Sequence, residues 1–190
     1  MEIIATAFGG KKNVYELKRA LDGEKCVNST KLYVQYTNEE LFVNFIGTYN
    51  GTPDIPYSGE MQLTWKGEVV ESFLSPYGSE KEYFEFDIAP NGSSFCAKIL
   101  NLDGETGYNR MFSETPIEME TTQRTDGFEV QIRVPFSVMI KEGDRQSFKT
   151  LPWKCNFYRI DSFNKEYCAL SPTWIGNFHV TKSFIRLKFE

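Results

Sequence analysis

The chain has 190 residues, 26 acidic and 21 basic side chains, a formal net charge of −5 and one histidine. The acidic surplus leaves no electrostatic footprint for nucleic-acid phosphates or anionic lipid. The single histidine removes multi-histidine zinc sites and the HExxH helix. Hydrophobic residues at 41% and charged residues at 25% fit one globular domain spanning residues 1–190, large enough to fold on its core alone.

From the N-terminus, Met1–Gly10 has neither a basic n-region nor an apolar stretch of signal length. A cytoplasmic location is expected if the chain is complete, and a secreted one if a leader has been removed. No apolar run approaches the roughly 20 residues that cross a bilayer, so no membrane partner is expected. Val14–Leu21 offers a short helical pattern, with Leu17, Ala20 and Leu21 at helical spacing. Beyond it the dominant period is two. Leu32–Thr37 and Leu41–Ile46 alternate around the turn Asn38-Glu39-Glu40 and read as an antiparallel hairpin. Further strands are expected at Glu68–Leu74, Tyr83–Ala89, Phe95–Leu100, Ile117–Gln123, Gly127–Phe136, Trp153–Ile160, Glu166–Leu170 and Phe184–Phe189.

Asn50-Gly51, Asn91-Gly92, Asp103-Gly104 and Asp126-Gly127 mark turns between them. Two strands have clean faces. Phe84, Phe86 and Ile88 oppose Tyr83, Glu85 and Asp87, while Phe128, Val130, Ile132, Val134 and Phe136 oppose Glu129, Gln131 and Arg133. One packed and one wet face is an antiparallel property. The expectation is an all-β chain, an antiparallel β-sandwich of about ten strands in a single domain.

The four cysteines, Cys26, Cys96, Cys155 and Cys168, form no CxxC pair and match no disulfide framework; they are expected to be free and mostly buried. No GxSxG elbow, P-loop or GxGxxG is present, and His179 beside Phe178 reads as a hydrogen-bonded core or edge residue. Glu85, Asp87 and Glu129 read as solvated acids of a sheet surface. Asp103 with Glu105 offers oxygen ligands for calcium, without an EF-hand loop around them. Trp65 and Glu71 share parity six residues apart and fall on one face if the strand continues through Gly67. An indole face covers sugar C–H groups while a carboxylate accepts hydroxyl protons, so the pair suits a carbohydrate. Trp174 stands in a loop between Pro172 and Gly176, where exposure would serve stacking.

Trp65-Lys66-Gly67-Glu68-Val69-Val70-Glu71-Ser72-Phe73-Leu74-Ser75-Pro76 resembles the W-x-x-D-x-V-E-x-F-L-x-P segment of carbohydrate-binding module family 9-like domains. Tyr83–Gly92 follows it as in that family, and Gly127–Phe136 is similar to its strand ending in I-P. Trp153–Arg159 resembles its R-x-N-F-Y-R strand, and Ser171-Pro172 with Asn177–Phe184 its C-terminal motif. The order holds from Leu32 to Phe189. Glu68 stands where the family has Asp, and Leu170 where it has Trp before Ser-Pro, with Trp174 a few residues later.

The resemblance implies a β-sandwich that binds glycans without cleaving them, sometimes with structural calcium, and in which two tryptophans sandwich a sugar. Trp65 and Glu71 match that pattern. The expected carbohydrate site therefore comprises Trp65 and Trp174 as stacking rings, Glu71 and Arg110 as hydrogen-bonding groups, and Tyr158 at the rim. No cofactor is required on this reading. Two rival readings are a b-type haem held by Met61 and His179, and a glycoside-active enzyme using two carboxylates.

Overall fold

The structure, a computed structural model, describes residues 1–190 apart from the side chain of Asn109. Fourteen strands form. The first five are β1 (Glu2–Ala7), β2 (Tyr15–Glu16), β3 (Lys18–Arg19), β4 (Thr30–Tyr36) and β5 (Glu40–Thr48). The next four are β6 (Val69–Ser75), β7 (Glu82–Ile88), β8 (Ser94–Asn101) and β9 (Gly107–Met111). The last five are β10 (Glu118–Arg124), β11 (Gly127–Pro135), β12 (Lys154–Asp161), β13 (Glu166–Ala169) and β14 (Ile185–Phe189).

The predicted hairpin is β4–β5, with Leu32 opposite Phe45 and Tyr36 opposite Leu41. Its turn closes because the Thr37 amide donates to the Glu40 carbonyl while the Thr37 hydroxyl accepts from the amides of Glu39 and Glu40. At Asn91-Gly92 the glycine takes a φ of +84°, the left-handed geometry that such a turn needs. The helical option at Val14–Leu21 does not form. Those residues make the short strands β2 and β3, with Leu17 and Ala20 buried, since eight residues without caps are too few to hold a helix.

The strands do not make two antiparallel sheets. They form one curled mixed sheet, in the order β10-β11-β5-β4-β1-β14-β12-β6-β7-β8-β9, with β2, β3 and β13 alongside. The seam is β1, which runs parallel to β14 over Glu2–Ala5 and parallel to β4 over Thr6–Ala7. Curling brings the two halves face to face. Leu32, Val43, Phe45, Val130 and Ile132 of one half share a cluster with Val70, Leu74, Phe86, Ile88 and Phe157 of the other. The rings of Phe45 and Phe157 meet edge to face at 6.2 Å. On β11 the expected apolar face, Phe128 through Val134, is the buried one. Phe136 is buried too, but it opens a short helix, Phe136–Met139, instead of ending the strand.

The half built on β12-β6-β7-β8 also has its other face covered. Phe73, Tyr83, Phe95, Ile99, Tyr158, Phe178 and Phe184 form a second cluster there, under the segment that follows β13. That is why every residue of β6 is buried. It also overturns the wet-face reading of β7: Glu85 and Asp87 are buried, and Glu129 lies far off on β11, where it accepts from Asn44.

The cysteine expectation is corrected in one pair. Cys26 and Cys168 form a disulfide across 142 residues, while Cys96 and Cys155 are free and buried. The bridge could not be read from spacing because it joins the segment before β4 to β13.

One buried cation ties the halves together. Arg159 on β12 has a fully buried side chain whose Nε donates to Glu68 at 2.7 Å. Its other nitrogens donate to the Thr30 hydroxyl at 3.0 Å and the Thr48 carbonyl at 3.1 Å in the opposite half. Burial raises the Glu68 carboxyl and Arg159 only partly offsets it, so the pair adds little net stability, while its disruption leaves the buried cation only the longer contact to Asp161 at 3.8 Å. Glu68→Ala is expected to lower unfolding free energy by about 3–5 kcal/mol in urea denaturation.

Candidate functional site

On the outer face of the β12-β6-β7-β8 half lies a pocket of about 350 Å³, within the range of small-molecule sites. Its wall and floor include Trp65, Glu71, Phe73, Glu85, Phe95, Tyr167, Phe178 and His179. Wider surface clefts near Asn38–Glu40 lack a comparable convergence of buried polar groups.

Trp65 sits in a tight turn, Thr64–Lys66, ahead of β6, so the strand does not run through Gly67. Its half-buried indole meets the Phe95 ring edge-on at 4.6 Å. Gly67 permits this turn, because a Cβ there would lie 2.7 Å from the Asp54 carbonyl and 2.5 Å from Pro56. The next residue, Glu68, donates its amide to that same Asp54 carbonyl and anchors Arg159. Trp65 and Glu71 reach one pocket, but by this turn and not by strand parity.

The floor is acidic. Glu71 on β6 lies directly opposite Asp87 on β7, and Glu85 follows on the same face of β7. Carboxylate oxygens of all three lie within 4.8 Å of one another. Among the described residues, no Lys or Arg lines the pocket, and neither oxygen of Asp87 has a hydrogen-bond partner. Burial first, and then the neighbouring carboxylates, hold Glu71 and Asp87 well above the ordinary carboxylate range; burial lifts Glu85 to about 7.

His179 closes one side. Its Nδ1 lies 2.6 Å from the Tyr83 hydroxyl, Asn101 donates to its carbonyl, and its ring fits only because residue 107 is glycine, where a Cβ would lie 2.5 Å from the imidazole. Burial lowers the imidazole to about 4, so it is neutral near pH 7, and its structural role matches the sequence reading.

Other expected site residues fall elsewhere. Tyr158 is fully buried below the pocket, stacked on Phe178 at 4.2 Å and donating its hydroxyl to the Phe178 carbonyl. It supports the floor and does not line a rim. Arg110 on β9 pairs with Lys98, whereas the neighbouring Ile99 lines the pocket, so Arg110 projects from the opposite face of the sheet. Trp174 is 67% exposed at a φ of +64° and lies outside the pocket lining, its backbone held by the Ala20 carbonyl. Asp103 accepts from the amides of Glu105 and Thr106 and closes its own loop. Met61 packs against the main core, whereas His179 belongs to the pocket wall. Sequence reasoning missed Glu85 and Asp87 as site residues. Their parity with Tyr83 was visible, but the alignment with Glu71 arises only from strand pairing.

No protein-family model matches the chain, and no curated protein does. Among solved structures, it is similar to a proposed carbohydrate-binding protein from Bacteroides uniformis ATCC 8492, with a TM-score of 0.76 and 14% identity over 100% of this chain and 99% of the other. It is also similar to a family 9 carbohydrate-binding module from Caldicellulosiruptor kristjanssonii. In complex with glucose that module gives a TM-score of 0.64 at 12% identity, covering 100% of this chain and 96% of the other. In complex with cellotriose the values are 0.61 and 12%, with 100% and 95% covered. The chain shares the fold of family 9 carbohydrate-binding modules.

The buried acids give a stability signature. A carboxyl whose folded pKa exceeds its unfolded value is destabilising once ionised, so the Glu85 contribution worsens as pH rises from 4.5 through about 7. His179 acts in the reverse sense between about 4 and 6.5, and is common to wild type and Glu85→Gln. In urea unfolding with chelator present, Glu85→Gln is expected to gain on wild type between pH 5 and pH 8 and to be the more stable at pH 8.

Proposed function

We propose that this chain is a non-catalytic carbohydrate-binding module whose ligand sits in the Trp65–Glu71–Glu85 pocket. The observation that carries this reading is a half-buried indole lining a pocket beside converging carboxyl groups, in a fold whose solved neighbours include a module bound to glucose and cellotriose. The apolar face of a sugar ring packs on Trp65, and Glu71 and Glu85 hydrogen-bond its hydroxyls, accepting when ionised and donating when protonated. Trp174, exposed outside the pocket, serves as an outer platform for the next residue of a longer glycan.

The acid geometry favours binding over hydrolysis. Retaining glycosidases hold their two carboxyls about 5–5.5 Å apart and inverting ones about 6.5–9.5 Å, to leave room for the reacting bond. Here the three acids are buried side by side on one face of paired strands, with one oxygen from each within 4.8 Å of the others, and do not face one another across a cleft. The Cys26–Cys168 bridge favours an oxidising compartment for the protein.

Calorimetry with glucose and cellotriose, in calcium-containing buffer, tests the reading. Wild type is expected to bind at least one of them. Trp65→Ala should weaken that binding tenfold or more without loss of fold, and Trp174→Ala should weaken cellotriose more than glucose. Absence of binding to either sugar at millimolar concentration, or an unchanged affinity in Trp65→Ala, overturns it.

A further inference from the structure

We propose that Glu71, Glu85 and Asp87 hold a calcium-class divalent cation at the floor of the pocket, with open coordination positions facing the space assigned above to a sugar. The second half of this inference rests on the carbohydrate reading; the cation site itself does not.

Asp87 is the observation that asks for a ligand. It is fully buried, and among the described residues its carboxylate oxygens meet no cation and no neutral donor, only the neighbouring acids Glu71 and Glu85. As an anion such a group is costly unless a proton shared with its neighbours or a cation compensates it, and a cation can serve all three acids at once. The neighbours make matters worse, because Glu71 stands directly across the strand pair and Glu85 two residues along the same face. No Lys or Arg lines the pocket among the described residues, and the nearby imidazole of His179 is neutral. The nearest buried guanidinium, Arg159, is engaged by Glu68, Thr30 and Thr48 between the two halves of the sheet.

The spacing fits one ion. Calcium takes oxygen ligands at about 2.3–2.6 Å, so two oxygens on one ion lie no more than about 5 Å apart. The three carboxylates place oxygens within 4.8 Å of one another, compatible with a common centre. Magnesium, at about 2.0–2.1 Å with strict octahedral geometry, would need a tighter cage. Glu71 and Glu85 line the open pocket while Asp87 lies beneath it, so an ion there is held from below and from the side. Calcium accepts about six to eight oxygens, which leaves positions for water or for a pair of adjacent sugar hydroxyls. The loop acid Asp103, already committed to two backbone amides, offers no such site.

The test uses the whole chain and metal alone first. Calcium calorimetry and terbium luminescence excited through Trp65 are run on chelator-stripped protein, with magnesium as comparison. One site per chain is expected, with calcium bound at least tenfold more tightly than magnesium. Asp87→Asn and Glu85→Gln should each weaken calcium at least tenfold with an unchanged far-ultraviolet spectrum, and Asp103→Asn should bind as wild type does. No calcium binding up to millimolar concentration, or binding undiminished in both variants, overturns the site. Sugar titrations with calcium and with chelator then separate the two readings. Sugar binding that is equally tight in chelator overturns the coordination of sugar by the ion. Calcium binding without sugar binding upholds the site and overturns the carbohydrate reading instead.

Discussion

The fold turns on one buried guanidinium. Arg159 lies between the two halves of the curled sheet, with a carboxylate on its own side and a hydroxyl and a carbonyl on the other. Its planar fork meets those three acceptors at fixed angles, and it also lies 5.0 Å from the Phe128 ring centre. A buried guanidinium without its acceptors is costly, so closure of the halves favours the register that supplies them. Hydrophobic contacts such as Phe45 on Phe157 supply the drive to close; they are far less particular about angle.

The same constraint reaches the pocket. Glu68, the partner of Arg159, stands three residues after Trp65 and three before Glu71. Its side chain is pinned by Arg159 and by the amide and hydroxyl of Ser162, and its backbone by Asp54. A residue fixed at both side chain and backbone sets where the Trp65 turn ends and where β6 begins. The indole and the Glu71 carboxyl thereby face one cavity from opposite sides of a buried anchor.

The two faces of this half of the sheet treat charge differently. On the inner side every strong charge has partners, as around Arg159. On the outer side three acids stand together, and Asp87 has none. Burial with partners on one face and without them on the other is what the proposed ligand site requires, since a site that receives a ligand must leave polar valence unfilled.

Much of this was legible in the residues. Alternation in Leu32–Ile46, Tyr83–Ile88 and Phe128–Val134 located strands and their core faces, because the pleat makes side-chain direction a local property of period two. The Trp65 to Glu71 spacing, with its resemblance to family 9 modules, pointed to the pocket. Local pattern carries no information on which strand lies beside which, or in what direction. It therefore missed the parallel seam at β1, the Cys26–Cys168 bridge, the burial of Glu85 and Asp87 under the C-terminal segment, and the face on which Arg110 projects. The sequence by itself determined the strands, their apolar faces and the aromatic and acidic side chains available for a site. Only the tertiary structure decided that Glu71, Glu85 and Asp87 meet while Trp174 stands apart, because strand register and loop placement are set by contacts between residues far apart in the chain.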